Sequence, residues 1–311
     1  MIHTIARASR DYAALIVLVV LAVVLAFASD AFLKPANILN ILNQNAPLLI
    51  IAVALTPVII AGGFDISTAA ILAVSGASAA WLASQGLPYL GIAVAPVIGL
   101  ALGLVNGAII TGFRVHAFLA TIATAIVFQG LAVLITGGRL ISARMEEFAW
   151  LGRGKVFDTV HIAVVVMVVF VAAVAFILNR TSLGRYIYAV GGNEEAALLS
   201  GLRVNLVRIA TFAMVGFASG VAGAITVSRI GQAQPLIGQG IEFQAIAAVI
   251  LGGTSVYGGE GAVWRSVVGV LLLALINNGY NLLNVDPFVK DITTGSIIIV
   301  AIALAAMNKE R

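Results

Sequence analysis

Residues 244–261 read QAIAAVILGGTSVYGGEG. The apolar run from Gln244 to Val256 is too short to cross a bilayer as an ideal helix, which takes about 20 residues. It also meets two Gly-Gly pairs, Gly252-Gly253 and Gly258-Gly259. Each glycine inside a helix costs about 1 kcal/mol relative to alanine, so a straight helix does not persist through both pairs. The stretch predicts a broken or re-entrant segment, which at membrane depth is tolerated only where protein buries it or where it lines a water-filled cavity. A second place has the same character: the apolar run Leu48–Ala61 is equally short and leads into Gly62-Gly63-Phe64-Asp65-Ile66-Ser67.

Working outward, the rest of the chain supplies the membrane. Of its 311 residues 61% are hydrophobic and 10% charged, with a mean hydropathy of +1.12. A soluble domain carries roughly 45–50% apolar and about 25% charged residues, so lipid is the main solvent. Further spans are expected at Tyr12–Ala28, Ile66–Ala83, Leu90–Ile110, Phe118–Thr136, Val160–Leu178, Leu206–Val227, Val263–Leu283 and Ile292–Ala306. The fold class is all-α: a polytopic membrane protein of about ten helices with broken Gly-rich segments. Asp30–Asn45 spaces Asn37, Asn40, Asn43 and Asn45 among Ile and Leu and predicts a short helix lying in the interface. Ala26-Phe27-Ala28 imitates a signal-peptidase site, but the preceding run exceeds the roughly 7–15 residues of a signal core, so an uncleaved first helix is favoured. No linker divides the chain, and residues 1–311 read as one transmembrane domain.

Ten spans place both termini on one side. With a cytoplasmic N-terminus, Arg7, Arg10, Arg114, Arg180, Arg185, Arg203, Arg208, Arg265, Lys309 and Arg311 face the cytoplasm, the larger share of the chain's 17 basic residues. The net charge of +4 follows this topology and no soluble basic domain exists for nucleic acid. The longest polar connections are then Gly137–Thr159 outside and Asn179–Asn205 inside.

Several chemistries are excluded. Zero cysteines rule out disulfides, thiolate metal sites and Cys nucleophiles, and His3, His116 and His161 offer no metal spacing. The chain has no G-x-x-x-x-G-K-[ST] loop, so it is not expected to bind ATP itself. With no catalytic triad or carboxylate-pair motif either, it reads as non-catalytic and cofactor-free.

What remains is packing and polarity. Gly99, Gly103 and Gly107 share one helix face, as do Gly216 and Gly220 near Gly223, and small residues of this kind let helix backbones approach closely. Beside the break at Gly62 and Gly63, Asp65 and Ser67 read either as helix caps or as part of a polar path. Asn277, Asn278 and Asn281 cluster near a helix end, and Asn277 and Asn281 share a face for interhelical bonding or solute contact. Glu242 and Glu260 are expected at the interface, because an isolated charge at the bilayer centre is expensive. The stretch NRTSLGRYIYAVGGNEEAALLSGLRVNLVR, residues 179–208, contains a short helix former, Glu194–Leu199, opened by Asn193 as a cap and closed by Gly201.

GGNEEAALLSGL (191–202), AIAAVILGGTSVYGG (245–259) and NNGYNLL (277–283), in this order, resemble the permease subunits of ribose-type sugar ABC importers. This group includes ribose, xylose, galactofuranose and autoinducer-2 systems. GGFDIS extends the resemblance upstream, where it looks like the family's Gly-Gly-Ile-Asp-Leu-Ser-Val-Gly. Phe64 stands for the usual Ile and Thr68-Ala69 for Val-Gly, departures that bear on substrate rather than family. The resemblance implies a type II importer-like permease of the bacterial inner membrane, dimeric with a second copy or a paralogue and surrounded by lipid. It moves a monosaccharide or similar small polar solute, with ATP hydrolysed by separate ATP-binding subunits. Those subunits dock on the coupling segment within 179–205, through Asn193, Glu194, Glu195, Ala196, Ser200, Gly201 and Leu202. A periplasmic or lipid-anchored sugar-binding protein docks outside, where Arg139, Arg144, Arg153 and Arg229 are candidates to pair with its acids. Path candidates are Asp65, Ser67, Asn106, Gln129, Asn277 and Asn278. The alternative is a stand-alone ion-coupled secondary transporter or channel, against which stands the scarcity of intramembrane acids, Asp65 being the one plausible candidate.

Overall fold

The computed structural model describes residues 2–299 apart from 287, 291, 294, 297 and 298, with side chains from residue 12 onward. Within them the protein is helical: α1 (Ile2–Ala28), α2 (Pro35–Ile60), α3 (Thr68–Ser84), α4 (Pro88–Phe113), α5 (Ala117–Thr136), α6 (Glu146–Arg153), α7 (Ile162–Arg180), α8 (Ser182–Gly192), α9 (Glu194–Leu199), α10 (Val204–Ile230), α11 (Ile241–Leu251) and α12 (Val263–Leu282). Six of these, α2, α4, α5, α7, α10 and α12, are long and apolar enough to cross a membrane, and the Tyr12–Ala28 part of α1, α3 and α11 are shorter apolar helices. The span expected at Ile292–Ala306 falls largely outside the described residues, as do the side chains of Arg7, Arg10, Lys309 and Arg311.

α2 is the centre of the bundle. From Ala46 to Ala61 every residue is buried, and Ile50, Ile51, Ala52, Val53, Ala54 and Leu55 have no exposed surface. Burial on every side means that protein, not lipid, surrounds this part of the helix. α7, α8, α10, α11 and α12 pack around it. The interface helix expected at Asp30–Asn45 and the short span at Leu48–Ala61 are in fact one 26-residue helix, with Pro47 and Pro57 inside it. Asn37, Asn40 and Asn45 face a polar cavity between helices, which serves them as the headgroup layer was expected to, while Asn43 is buried.

The densest contact is α10 against α4. A Cβ on Gly99 would lie 2.2 Å from the Gly216 carbonyl oxygen, and one on Gly216 would lie 2.3 Å from that of Gly99. One on Gly103 would lie 2.3 Å from the Phe212 oxygen and one on Gly220 2.4 Å from the Ala95 oxygen. The two backbones touch directly, a packing driven by van der Waals contact where lipid supplies no hydrophobic force between helices.

Short pieces fill the connections. Between α5 and α7 lies α6, whose Phe148 and Leu151 are buried against α10. This eight-residue helix is too brief to show a period in sequence. Ile141–Ser142 pairs antiparallel with Gln232–Ala233, and Lys155–Val156 with Val160–His161.

Candidate functional site

The first break ends α2 with Gly62, at φ +80°, and with bonds from Gly62 N–H to the Ile59 oxygen and Gly63 N–H to the Val58 oxygen, each 2.9 Å. Beyond it Asp65 Oδ1 accepts from the Ser67 N–H at 2.8 Å and from Ser67 Oγ at 2.6 Å. Asn106 Nδ2 on α4 donates to Ser67 Oγ at 2.7 Å, and Thr121 Oγ1 on α5 accepts from the Ile66 N–H at 3.2 Å. Asp65, Ser67, Asn106 and Thr121 are all fully buried. Asp65 therefore does the capping, while Ser67 makes no cap bond of its own. The break is sealed by α4 and α5, with Asp65 Oδ2 and Asn106 Oδ1 left without hydrogen-bond partners.

The second break, residues 252–262, turns back against the end of α8 and the end of α2. Gly259 N–H donates to the Ile60 oxygen at 2.8 Å, and Tyr188 Oη donates to the Gly261 oxygen at 2.8 Å. Gly258 and Gly259 have φ of +85° and +76°, a region that L side chains avoid, and a Cβ on Gly259 would sit 3.0 Å from Gly192 Cα. Gly253 is also left-handed, and Gly252 lies against the Arg265 carbonyl. A Cβ on Gly63 would meet Val58 Cγ1 at 3.3 Å. Glu242 is not left at the surface: it is buried in the first turn of α11, with Oε2 left without a hydrogen-bond partner. Glu260 is exposed.

At this same end sits the 179–205 segment. Asn193 Oδ1 accepts from the Ala196 N–H at 2.9 Å and opens α9, and Gly201, at φ +81°, closes it. Glu194 Oε2 pairs with Arg208 Nη2 of α10 at 2.6 Å. Glu195, Ala196 and Ser200 are exposed, while Leu202 is partly buried. α9 is thus an outward-facing step fixed to α10, and α8 beneath it rests on α2 and on the second break.

A cavity of about 520 Å³ opens at the opposite end. Asn37, Asn40, Gln44 and Asn45 of α2, Gln244 of α11, Asn277, Asn278 and Asn281 of α12, and Lys290 line it, with a few apolar neighbours. Asn37 and Asn278 form a reciprocal amide pair across it, and Gln44 Nε2 donates to Asn40 Oδ1 at 3.0 Å. Of the six path candidates only Asn277 and Asn278 reach this cavity. Asp65, Ser67 and Asn106 form the separate buried cluster, and Gln129 Nε2 donates to the Pro235 oxygen, holding the 231–240 connection. Asn37, Asn40, Gln44 and Gln244 were missed as lining residues. The asparagine spacing in Asp30–Asn45 was the available signal, but without the proximity of α12 it pointed to a membrane surface.

The four arginines divide. Arg153 donates to the Arg229 and Ile230 oxygens at 2.7 and 3.1 Å, and Arg229 Nη1 donates to the Asn43 and Gln44 oxygens at 2.8 and 3.1 Å. Arg153 and Arg229 thus donate to the protein's own carbonyls, and Arg139, Arg144 and Arg153 are exposed while Arg229 is half-buried.

A family model described as branched-chain amino acid transport system / permease component matches residues 37–302. The ribose import permease protein RbsC of Haemophilus influenzae is 39% identical over 94% of this chain and 91% of its own length. RbsC of Bacillus subtilis is 40% identical over 92% and 90%, and the L-arabinose ABC transporter permease protein AraH of Azospirillum brasilense 34% over 92% and 84%. No solved structure matches the chain.

Proposed function

The chain belongs to this family of transport-system permease components, and from that premise we propose that it is the membrane subunit through which an ABC importer moves a monosaccharide into the cytoplasm. The carboxamide-lined cavity between α2, α11 and α12 carries the reading. A carboxamide both donates and accepts, as does each hydroxyl of a sugar, so a row of them offers many weak and interchangeable bonds. Weak binding suits a route, where a solute must leave as readily as it enters. Among the described lining residues no carboxylate is present to pair with an ammonium group, which favours a neutral polyol over the amino acid of the family's description. Asn277 and Asn278 belong to this route. Asp65, Ser67 and Asn106 hold the first break in shape, and Gln129 steadies the connection near Pro235.

The family's transport systems use an ATP-binding subunit and a substrate-binding protein, so hydrolysis belongs to another chain. In the proposed arrangement residues 1–311 form one transmembrane unit of ten spans with both termini cytoplasmic, paired with a second copy or a paralogue. The segregation of 182–199 and 252–262 to one end, and of α6 and 231–240 to the other, supports this orientation. ATP-binding subunits dock on Asn193–Leu202 and the binding protein near Arg139 and Arg144. A push on α9 reaches α2 through α8, the Tyr188–Gly261 bond and the Gly259–Ile60 bond, and biases the bundle between inward and outward states by differential contacts.

Uptake tests the reading. Cells lacking their own pentose uptake, supplied with this chain and the ATP-binding and binding-protein subunits that co-purify with it, should accumulate labelled ribose or L-arabinose and not leucine. Sugar uptake that persists without the ATP-binding subunit and collapses with the ion gradient would establish the secondary-transporter alternative.

A further inference from the structure

Proline has no N–H, and its ring crowds the carbonyl four residues back, so Pro47 leaves the Asn43 oxygen without its helical donor. Asn43 is buried, and an unmet carbonyl there carries the full cost of its lost water. Arg229, at the end of α10, supplies the missing donor with Nη1, 2.8 Å from the Asn43 oxygen and 3.1 Å from that of Gln44. The backbone of Arg229 is itself held. Arg153 of α6 binds its carbonyl at 2.7 Å, the Gly152 N–H binds Ser228 Oγ at 2.8 Å, and a Cβ on Gly152 would lie 2.3 Å from the Arg229 nitrogen. Pro47 and Arg229 both line a cavity of about 230 Å³ that shares Gln44, Asn45 and Gln244 with the larger carboxamide-lined one.

We infer that Arg229 is a positioning residue for transport: its guanidinium takes the place of the donor that Pro47 lacks. It thereby fixes the direction of residues 37–45, aims the carboxamides of Asn37, Asn40, Gln44 and Asn45 into the cavity, and ties that direction to α6. The inference rests on the cavity being the solute's route. With a helical donor at position 47 the Asn43 carbonyl would need no arginine, and only the longer contact to the Gln44 oxygen would remain to Arg229. The two residues form one device, and that dependence is what can be tested.

Arg229→Met keeps the aliphatic stem and removes the donors, while Pro47→Ala returns the N–H. In cells carrying the whole importer, uptake of whichever of ribose and L-arabinose the unmodified chain accumulates should fall about tenfold in R229M, the effect of losing a charged donor to a buried carbonyl. P47A combined with R229M should recover to within about twofold of P47A alone, since the repaired carbonyl no longer needs the arginine. The chain has no cysteine, so Gln44→Cys can be labelled by a membrane-impermeant maleimide to report the direction of α2 without any transport. R229M should change that labelling rate and P47A restore it. A labelling rate indifferent to R229M, or changed but not restored by P47A, overturns the positioning role and leaves the route to its own test. Labelling that changes and recovers while uptake stays constant upholds Arg229 as the residue that aims α2 and rejects the cavity as the route. Should R229M fail to accumulate in the membrane, recovery of accumulation in the double variant is the expected result, and its absence counts against the pairing with Pro47.

Discussion

Asn37 near the start of α2 and Asn278 near the end of α12 hold each other through two reciprocal amide bonds, Nδ2 of Asn278 to Oδ1 of Asn37 at 2.9 Å and the reverse at 3.2 Å. Residues 241 positions apart thus clasp across the carboxamide cavity. The pair is partly buried, and each amide is satisfied from within the protein.

The clasp predicts non-additive loss. Asn37→Ala and Asn278→Ala should each lower thermal stability in detergent by an amount on the order of 1 kcal/mol, the range of interhelical hydrogen bonds in membranes. The double variant should be no worse than the poorer single one, because each change removes the same bonds. Additive losses in a double-mutant cycle would break the clasp interpretation.

Gly216→Ala is expected to prevent normal accumulation of the protein. Its Cβ would fall 2.3 Å from the Gly99 carbonyl oxygen, a backbone atom that cannot swing aside. Separating α4 from α10 costs roughly 1–3 kcal/mol for one methyl group, more at the closer contacts. Quantitative blotting of membranes at two growth temperatures gives the readout, with Gly112→Ala, where nothing lies within 4 Å, as the control.

Ala196 is exposed on α9, with its N–H capped by Asn193. Ala196→Arg should leave the fold intact but uncouple ATP hydrolysis from uptake by placing a long cation between α9 and the docked subunit. Unchanged uptake at equal membrane level would remove Ala196 from the contact. The neighbouring Glu194–Arg208 pair is partly exposed, so Glu194→Gln should shift stability by less than about 1 kcal/mol.

Tyr188→Phe should reduce transport per ATP consumed, because it removes the bond joining α8 to the Gly261 carbonyl. Burial raises the Tyr188 phenol above its ordinary pKa, with the positive charge of Arg265 opposing. A group whose folded pKa is raised gives its stabilisation fully below the unfolded value, about 10 for tyrosine, and loses it as pH climbs through the folded one. The donor is therefore present throughout neutral pH, and the Y188F deficit should be the same at pH 6 and pH 8 in proteoliposomes.

Arg139→Glu is expected to weaken docking of the binding protein more at low salt than at high salt, since exposed charges act over a Debye length. Arg153→Glu should instead destabilise the protein, for that guanidinium caps the end of α10. Surface-plasmon affinities over a salt series separate the two, and an Arg139 effect that ignores salt rejects the electrostatic role.

The sequence by itself determined the solvent, the class and the breaks. Hydropathy and chain length require many apolar helices, and the Gly-Gly pairs at 62–63 and 252–253 end helices wherever they lie, because glycine's backbone freedom is a local property. The Asn193 cap and the Gly99–Gly103 face were legible for the same reason: each depends on residues within a turn or two. What only the tertiary structure decided was which polar residues meet. Asn37 finds Asn278, Asn43 finds Arg229, and Ser67 finds Asn106, each through chain separations that no periodicity encodes. The Pro47 carbonyl gap shows why. Read locally, a proline beside an asparagine-rich segment marks a helix end and a surface position, whereas an arginine from another helix can satisfy the freed carbonyl and let α2 run on into the core.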